Sequence, residues 1–128
     1  MILDEILEHK REEVAGRKEE TPLEELTREA AHAPATRPFA EALRQPSQGQ
    51  RRADLAAGRE PSTAPAIPRL IAEIKGRSPS RGTIRKTVDA AAIAEQYASA
   101  GAACISVLTD TRFFAGALER IPEVRDAV

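Results

Sequence analysis

Glu73 and Lys75 are residues whose types and spacing could do chemistry, at the end of the apolar run Leu70-Ile71-Ala72-Glu73-Ile74. They are two positions apart, so a strand would project both side chains to one face. A carboxylate and an ammonium on the inward face of a buried strand are costly to desolvate without a partner or a task. The pair therefore reads either as a structural ion pair or as an acid–base or anion-binding pair. Just beyond, Ser78-Pro79-Ser80-Arg81-Gly82 offers hydroxyls and backbone N–H groups to an oxyanion, though the same residues also describe an ordinary surface loop. Phe113-Phe114 are either core packing or an apolar wall for an aromatic substrate. Cys104 lies inside an apolar run and reads as a small buried thiol, not a nucleophile. His9 and His32, on the helical lead-in and its exit, read as solvated.

The elements that must position these residues follow from periodicity. Leu3, Ile6, Leu7 and Val14 form one apolar stripe, which predicts a helix over residues 2–19. Thr21-Pro22-Leu23-Glu24 has the form of a capping box with Pro at the first helical position, so a second short helix should begin at Pro22, with Leu23 and Leu26 facing the core. Phe39 to Leu43 could add a turn or two. From Gln45 to Pro68 large apolar residues almost vanish, which predicts a mobile loop, transiently helical at most over 51–58. Leu70–Ile74 suits a buried parallel strand, followed by a loop from Lys75 to Gly82. Asp89 should cap a helix from Ala90 to Ala100, with Ile93 and Tyr97 on one face and Gly101 as the stop. Ala103 to Leu108 is a second buried strand, Thr109 to Gly116 a loop, and Leu118, Ile121, Val124 and Val128 mark a last helix.

The second half thus reads strand, loop, helix, strand, loop, helix, the repeating unit of a parallel α/β fold joined by a right-handed crossover. In such folds the working residues gather at the carboxyl ends of the strands, where Glu73 and Lys75 lie. Two strands cannot close a barrel, and they leave both sheet edges open, so self-association through those edges is expected.

Composition narrows the classes. Nineteen basic against twenty acidic residues leave a net charge of −1, which favours neither nucleic acid nor an anionic membrane as partner. The single cysteine excludes an internal disulfide, and one cysteine with two distant histidines gives no metal-ligand spacing. The charged start lacks an apolar signal core, so a cytoplasmic location is the expectation.

Taken together, Leu70-Ile71-Ala72-Glu73-Ile74-Lys75-Gly76-Arg77-Ser78-Pro79-Ser80-Arg81-Gly82 closely resembles the first-strand signature of the indole-3-glycerol-phosphate synthase family. Ala100-Gly101-Ala102, then Ile105-Ser106-Val107-Leu108-Thr109-Asp110 and Phe113-Phe114-Ala115-Gly116, resemble its second strand and the loop after it. The first nineteen residues resemble the family's extra amino-terminal helix. The resemblance implies an α/β fold, an incomplete TIM (β/α)8 barrel: a helical extension over 1–44, a flexible loop over 45–68, and the first two β/α units over 69–128.

It also implies a reaction: conversion of carboxyphenylamino-deoxyribulose phosphate to indole-3-glycerol phosphate, with loss of carbon dioxide and water and without cofactor or metal. The partner would be that phosphorylated small molecule. By the resemblance, Lys75 binds the substrate carboxylate or donates a proton, and Glu73 orients a neighbouring lysine and keeps it charged. Ser78 lies near the substrate carboxylate, Phe114 forms an aromatic wall, and Ser106 and Leu108 point into the barrel.

Three departures bear on this. The loop before the first strand is longer than the family usually carries, and Pro122 should delay or bend the helix it enters. The sequence also reaches Val128 about where a third strand, bearing the family's principal general-acid lysine, is expected. Its general-base glutamate and phosphate-binding loops would come later still. The expectation is an enzyme family whose first 128 residues are inactive alone. The alternative is a non-catalytic half-barrel module that needs a complementary chain.

Overall fold

The computed structural model describes residues 1–44, 55–58 and 68–128. It divides into two compact units, Met1–Arg37 and Pro38–Val128. The loop expected over 45–68 lies outside the described residues, apart from 55–58 and Pro68; Leu55 and Ala56 are helical, and Gly58 N–H donates to Leu55 O at 3.1 Å.

The first unit is helical. α1 spans Ile2–Glu20 and α2 spans Leu23–His32. Pairs three and four residues apart support α1, with Arg11–Glu8 at 2.9 Å and Arg17–Glu13 at 2.6 Å. Asp4 and Glu5 in the first turn and Arg17 and Lys18 in the last suit the helix dipole. The capping box before α2 does not form. Pro22 itself takes the cap conformation, with φ −59° and ψ 151°, and makes no side-chain cap bond. The helix therefore starts one residue late, and Glu24 falls at the second helical position instead of the third. Leu23 and Leu26 do not face a core either; they are 77% and 53% exposed. Neither helix has a buried residue, because this unit contains no sheet against which an apolar stripe could pack.

The second unit holds the sheet. After α3, Phe39–Arg44, comes β1, Ile71–Ile74. A small antiparallel hairpin follows, β2 (Arg77–Ser78) against β3 (Gly82–Thr83), within and just beyond the segment expected to be a plain loop. α4 then spans Ala90–Ser99, capped as expected: Asp89 Oδ1 accepts from Ala92 N–H at 2.9 Å. Gly101, at φ 94°, ends it. β4, Cys104–Val107, lies parallel to β1 with Ile71 opposite Cys104 and Glu73 opposite Ser106. α5, Thr111–Phe114, is a single turn inside the expected second loop. α6, Arg120–Ala127, places Pro122 in its first turn, where a missing N–H costs little.

The core lies between this sheet and α4 and α6. Ile74 is 2% exposed and packs with Ala90, Ala94 and Val124, bordered by Ile105, Val107, Ile93 and Tyr97. The small Ala90 and Ala94 let α4 approach the sheet closely, which orders the crossover. β4 is less buried than its apolar sequence suggests: Cys104 is buried, but Ile105, Ser106 and Val107 are half-buried. Among the described residues only β1 pairs with it, so one edge of β4 has no strand beside it. Among the described residues no helix is long and apolar enough to cross a membrane.

Candidate active site

The alternation of β1 sends Ala72 and Ile74 toward the core and leaves Glu73 exposed on the opposite face. Lys75 continues that face, and its Nζ donates to Glu73 Oε1 at 2.5 Å. The two side chains are 37% and 43% exposed, so the buried pair expected from the sequence is not found. A pair this open contributes only about 0–1 kcal/mol to stability. Tyr97 O–H donates to the Glu73 carbonyl at 3.4 Å, so α4 holds the strand backbone at this residue.

The parallel register sets β4 beside this pair. Glu73 lies opposite Ser106, and Leu108 N–H donates to Ile74 O at 3.1 Å, extending the ladder one step. Ser106 and Leu108, two apart, share the face that carries Glu73 and Lys75, and both are half-buried. At the other end of this face Cys104 is buried, its Sγ 3.8 Å from Phe39 O, as fits a structural thiol. Arg69 Nε donates to Ala42 O at 3.3 Å, so α3 closes the amino-terminal end.

The two loops after the strands are tied together. Gly76 N–H donates to Phe114 O at 3.2 Å, and the Arg77 guanidinium donates to the Arg112 carbonyl. Gly76 O in turn accepts from Ile84 and Arg85 N–H at 2.9 and 3.0 Å, which folds the hairpin back over the end of β1. Ser78 is half-buried, and its Oγ lies 3.0 Å from Ser80 Oγ.

Asp110 organises the second loop. It is buried, and its Oδ1 accepts from Phe113 N–H at 2.6 Å and Phe114 N–H at 3.3 Å. Ala115 then adopts the left-handed conformation, φ 51° and ψ 41°, and its carbonyl accepts from Arg120 Nη1 at 2.7 Å. Gly116 N–H donates to Asp110 O at 2.6 Å. The two phenylalanines differ in burial. Phe113 is buried, with the Arg112 guanidinium 5.2 Å from its ring centroid, whereas Phe114 is half-buried.

Sequence reasoning passed over Asp110, Arg77 and Gly116. Asp110, three residues before Phe113, has the spacing of a helix cap and so carried a local signal. Arg77 carried none, because its partner is a backbone carbonyl thirty-five residues away.

Lys75 at the carboxyl end of β1 and Ser78, Ser80 and Phe114 in the loops after the strands occupy the end where β/α proteins generally place their working residues. Comparison narrows that class: a match to the family described as indole-3-glycerol phosphate synthase spans residues 3–128. The chain belongs to this family, whose fold is the TIM barrel. It is 46% identical over 126 residues to an indole-3-glycerol phosphate synthase of Burkholderia multivorans, covering 98% of the chain and 42% of that protein. A protein of the same description from Rippkaea orientalis is 42% identical over 127 residues, covering 99% of the chain and 37% of the relative. The chloroplastic protein of that name from Arabidopsis thaliana is 39% identical over 126 residues, covering 98% of the chain and 28% of the relative. The chain thus spans well under half the length of these relatives.

Proposed function

We propose that this chain supplies the first two β/α units of a TIM (β/α)8 barrel, with residues 1–44 as an extra helical segment and 45–68 as a connecting loop. The complete barrel would act in tryptophan biosynthesis, in the cytoplasm. It would convert carboxyphenylamino-deoxyribulose phosphate to indole-3-glycerol phosphate with release of carbon dioxide and water.

The observation that carries this reading is the Lys75–Glu73 pair, 2.5 Å apart, on the sheet face shared with Ser106 and Leu108. Ring closure in this reaction needs a proton donor near a carbonyl, then loss of a carboxylate, then dehydration. Lys75 is the group here that can hold the substrate carboxylate or give a proton, and Glu73 orients a neighbouring lysine. Ser78 donates to the same carboxylate, and Phe114 packs against the anthranilate ring. The remaining acid, base and phosphate-binding groups that the resemblance calls for are not assigned to these 128 residues. General acid–base groups each contribute factors of roughly 100 to 10,000. The 128 residues by themselves are therefore expected to be inactive.

A hybrid tests this: residues 3–128 replace the matching segment of the Burkholderia multivorans relative. The expected result is formation of indole-3-glycerol phosphate, with Lys75→Met lowering kcat by about 100-fold or more. A folded hybrid without turnover, or one indifferent to Lys75→Met, would sink the reading.

One observation favours a second reading, a half-barrel assembly module: β1 and β4 each have one edge unpaired among the described residues. That reading predicts a defined dimer or hetero-complex in size-exclusion chromatography. Aggregates or a monomer alone would count against it.

A further inference from the structure

We propose that Arg81, Arg85 and Lys86 form a cationic rim that captures a small, multiply charged anion before it reaches the face carrying Lys75. The rim would take phosphorylated, carboxylate-bearing molecules; that ligand class rests on the function proposed above, while anion capture itself does not.

The stretch from Lys75 to Lys86 carries five basic residues and no acidic one, in a chain whose net charge is −1. Two of the five are occupied: Lys75 by Glu73, and Arg77 by the Arg112 carbonyl. Arg81, Arg85 and Lys86 are exposed and make no ion pair among the described residues. The nearest carboxylate along the chain, Asp89, is engaged as the cap of α4.

The fold concentrates this charge at one place. Arg85 N–H bonds to Gly76 O at 3.0 Å, one residue beyond Lys75, and Arg81 N–H bonds to Ser78 O at 3.3 Å. The β2–β3 pairing holds Gly82 and Thr83 against Ser78 and Arg77. Arg81 and Arg85 are thus anchored by their backbone to Ser78 and Gly76, just beyond Lys75, and Lys86 follows Arg85 directly in the chain. Three unpaired like charges within residues 81–86 repel one another, and an anion relieves that repulsion. A cluster of one sign at the mouth of a site raises local ligand concentration and association rate by about 10- to 1,000-fold, and salt weakens it steeply. Capture differs from the role given to Lys75, because the rim acts through its field and touches no reacting atom.

The test uses the full 128-residue chain and inorganic pyrophosphate, followed by amide NMR shifts at about 20 and about 200 mM NaCl. The shifts are expected to centre on Arg81 to Lys86, with binding at least about tenfold weaker at the higher salt. R81E/R85E/K86E should lose at least about tenfold in affinity at low salt, and the milder R81Q/R85Q/K86Q should fall between it and the unaltered chain. R11E/K18E/R28E changes net charge equally but in the helical unit, and should bind within about twofold of the unaltered chain. Equal loss in that control would overturn the proposal, as would shifts centred elsewhere or absent. Rim binding with a hybrid that does not turn over would overturn the reaction and leave the rim standing. Turnover without rim binding would do the reverse.

Discussion

Gly116 shows how little room the second loop leaves. A Cβ at this position would fall on the Leu108 carbonyl, with the Leu108 and Thr109 carbonyl carbons each 2.7 Å away. All three obstacles are backbone, so the strand end itself would have to move. Gly116→Ala should therefore cost about 1–3 kcal/mol, as overpacking does, and should disturb the amide signals of Phe113 and Phe114. Gly82→Ala meets open space but sits at φ +68°, so about 1–2 kcal/mol of conformational strain is expected without change at the phenylalanines. Urea melts of both variants with amide spectra would check the contrast; equal spectra would refute it. The close approach at Gly116 was not legible in the sequence, since it joins residues eight apart through a fold-dependent turn. Glu73 and Lys75 were legible as a same-face pair because strand alternation is local. Their half-exposure was not, because it depends on what covers the face.

Among the elements, α5 is only four residues long and has little helical stability of its own, so its cap decides whether it forms. Asp110 Oδ1 accepts from both Phe113 and Phe114 N–H. Asp110→Ala should cost about 0.5–2 kcal/mol and release those two amides to exchange, whereas Asp110→Asn keeps an accepting oxygen and most of the protection. Hydrogen exchange at Phe113 and Phe114 reads the difference; protection that survives in Asp110→Ala would show that the turn stands without its cap. Asp89→Ala offers a parallel case at α4, with loss of about 1 kcal/mol expected in thermal melts. α4 was readable from end to end because cap, apolar face and terminal Gly101 agree. The β2–β3 hairpin was not readable, since its two-residue strands are too short to show any alternation. The box before α2 misled because its proline adopts the cap conformation itself, displacing Thr21 from that role.

At the scale of the molecule, parallel pairing was legible because two strand–loop–helix units in order leave few topologies, and the family because the run from Glu73 to Gly82 resembles its first-strand signature. How well the whole is consolidated was not. The buried apolar residues described are Ala72, Ile74, Ala90, Ala94, Cys104, Phe113 and Val124, and of these only Ile74 is a large side chain almost wholly removed from water. Fully burying such a side chain contributes about 1.5–3 kcal/mol, so a core of so few large buried side chains gives a small return against chain entropy. Leu3, Leu7, Leu23 and Leu26 meanwhile remain exposed, and β1 and β4 each keep an unpaired edge among the described residues. The isolated chain should accordingly unfold over a broad temperature range and self-associate as its concentration rises. Adding the portion of the Burkholderia multivorans relative that lies outside the 42% matched here should sharpen the transition and raise its midpoint. A gain of about 2 kcal/mol would correspond to a shift of roughly 4 to 8 °C for the larger folding unit so formed. Calorimetry with light scattering would measure both effects. A sharp, monomeric transition indifferent to the added segment would show that these residues consolidate their own fold, and would remove the physical case for a barrel completed by further strands.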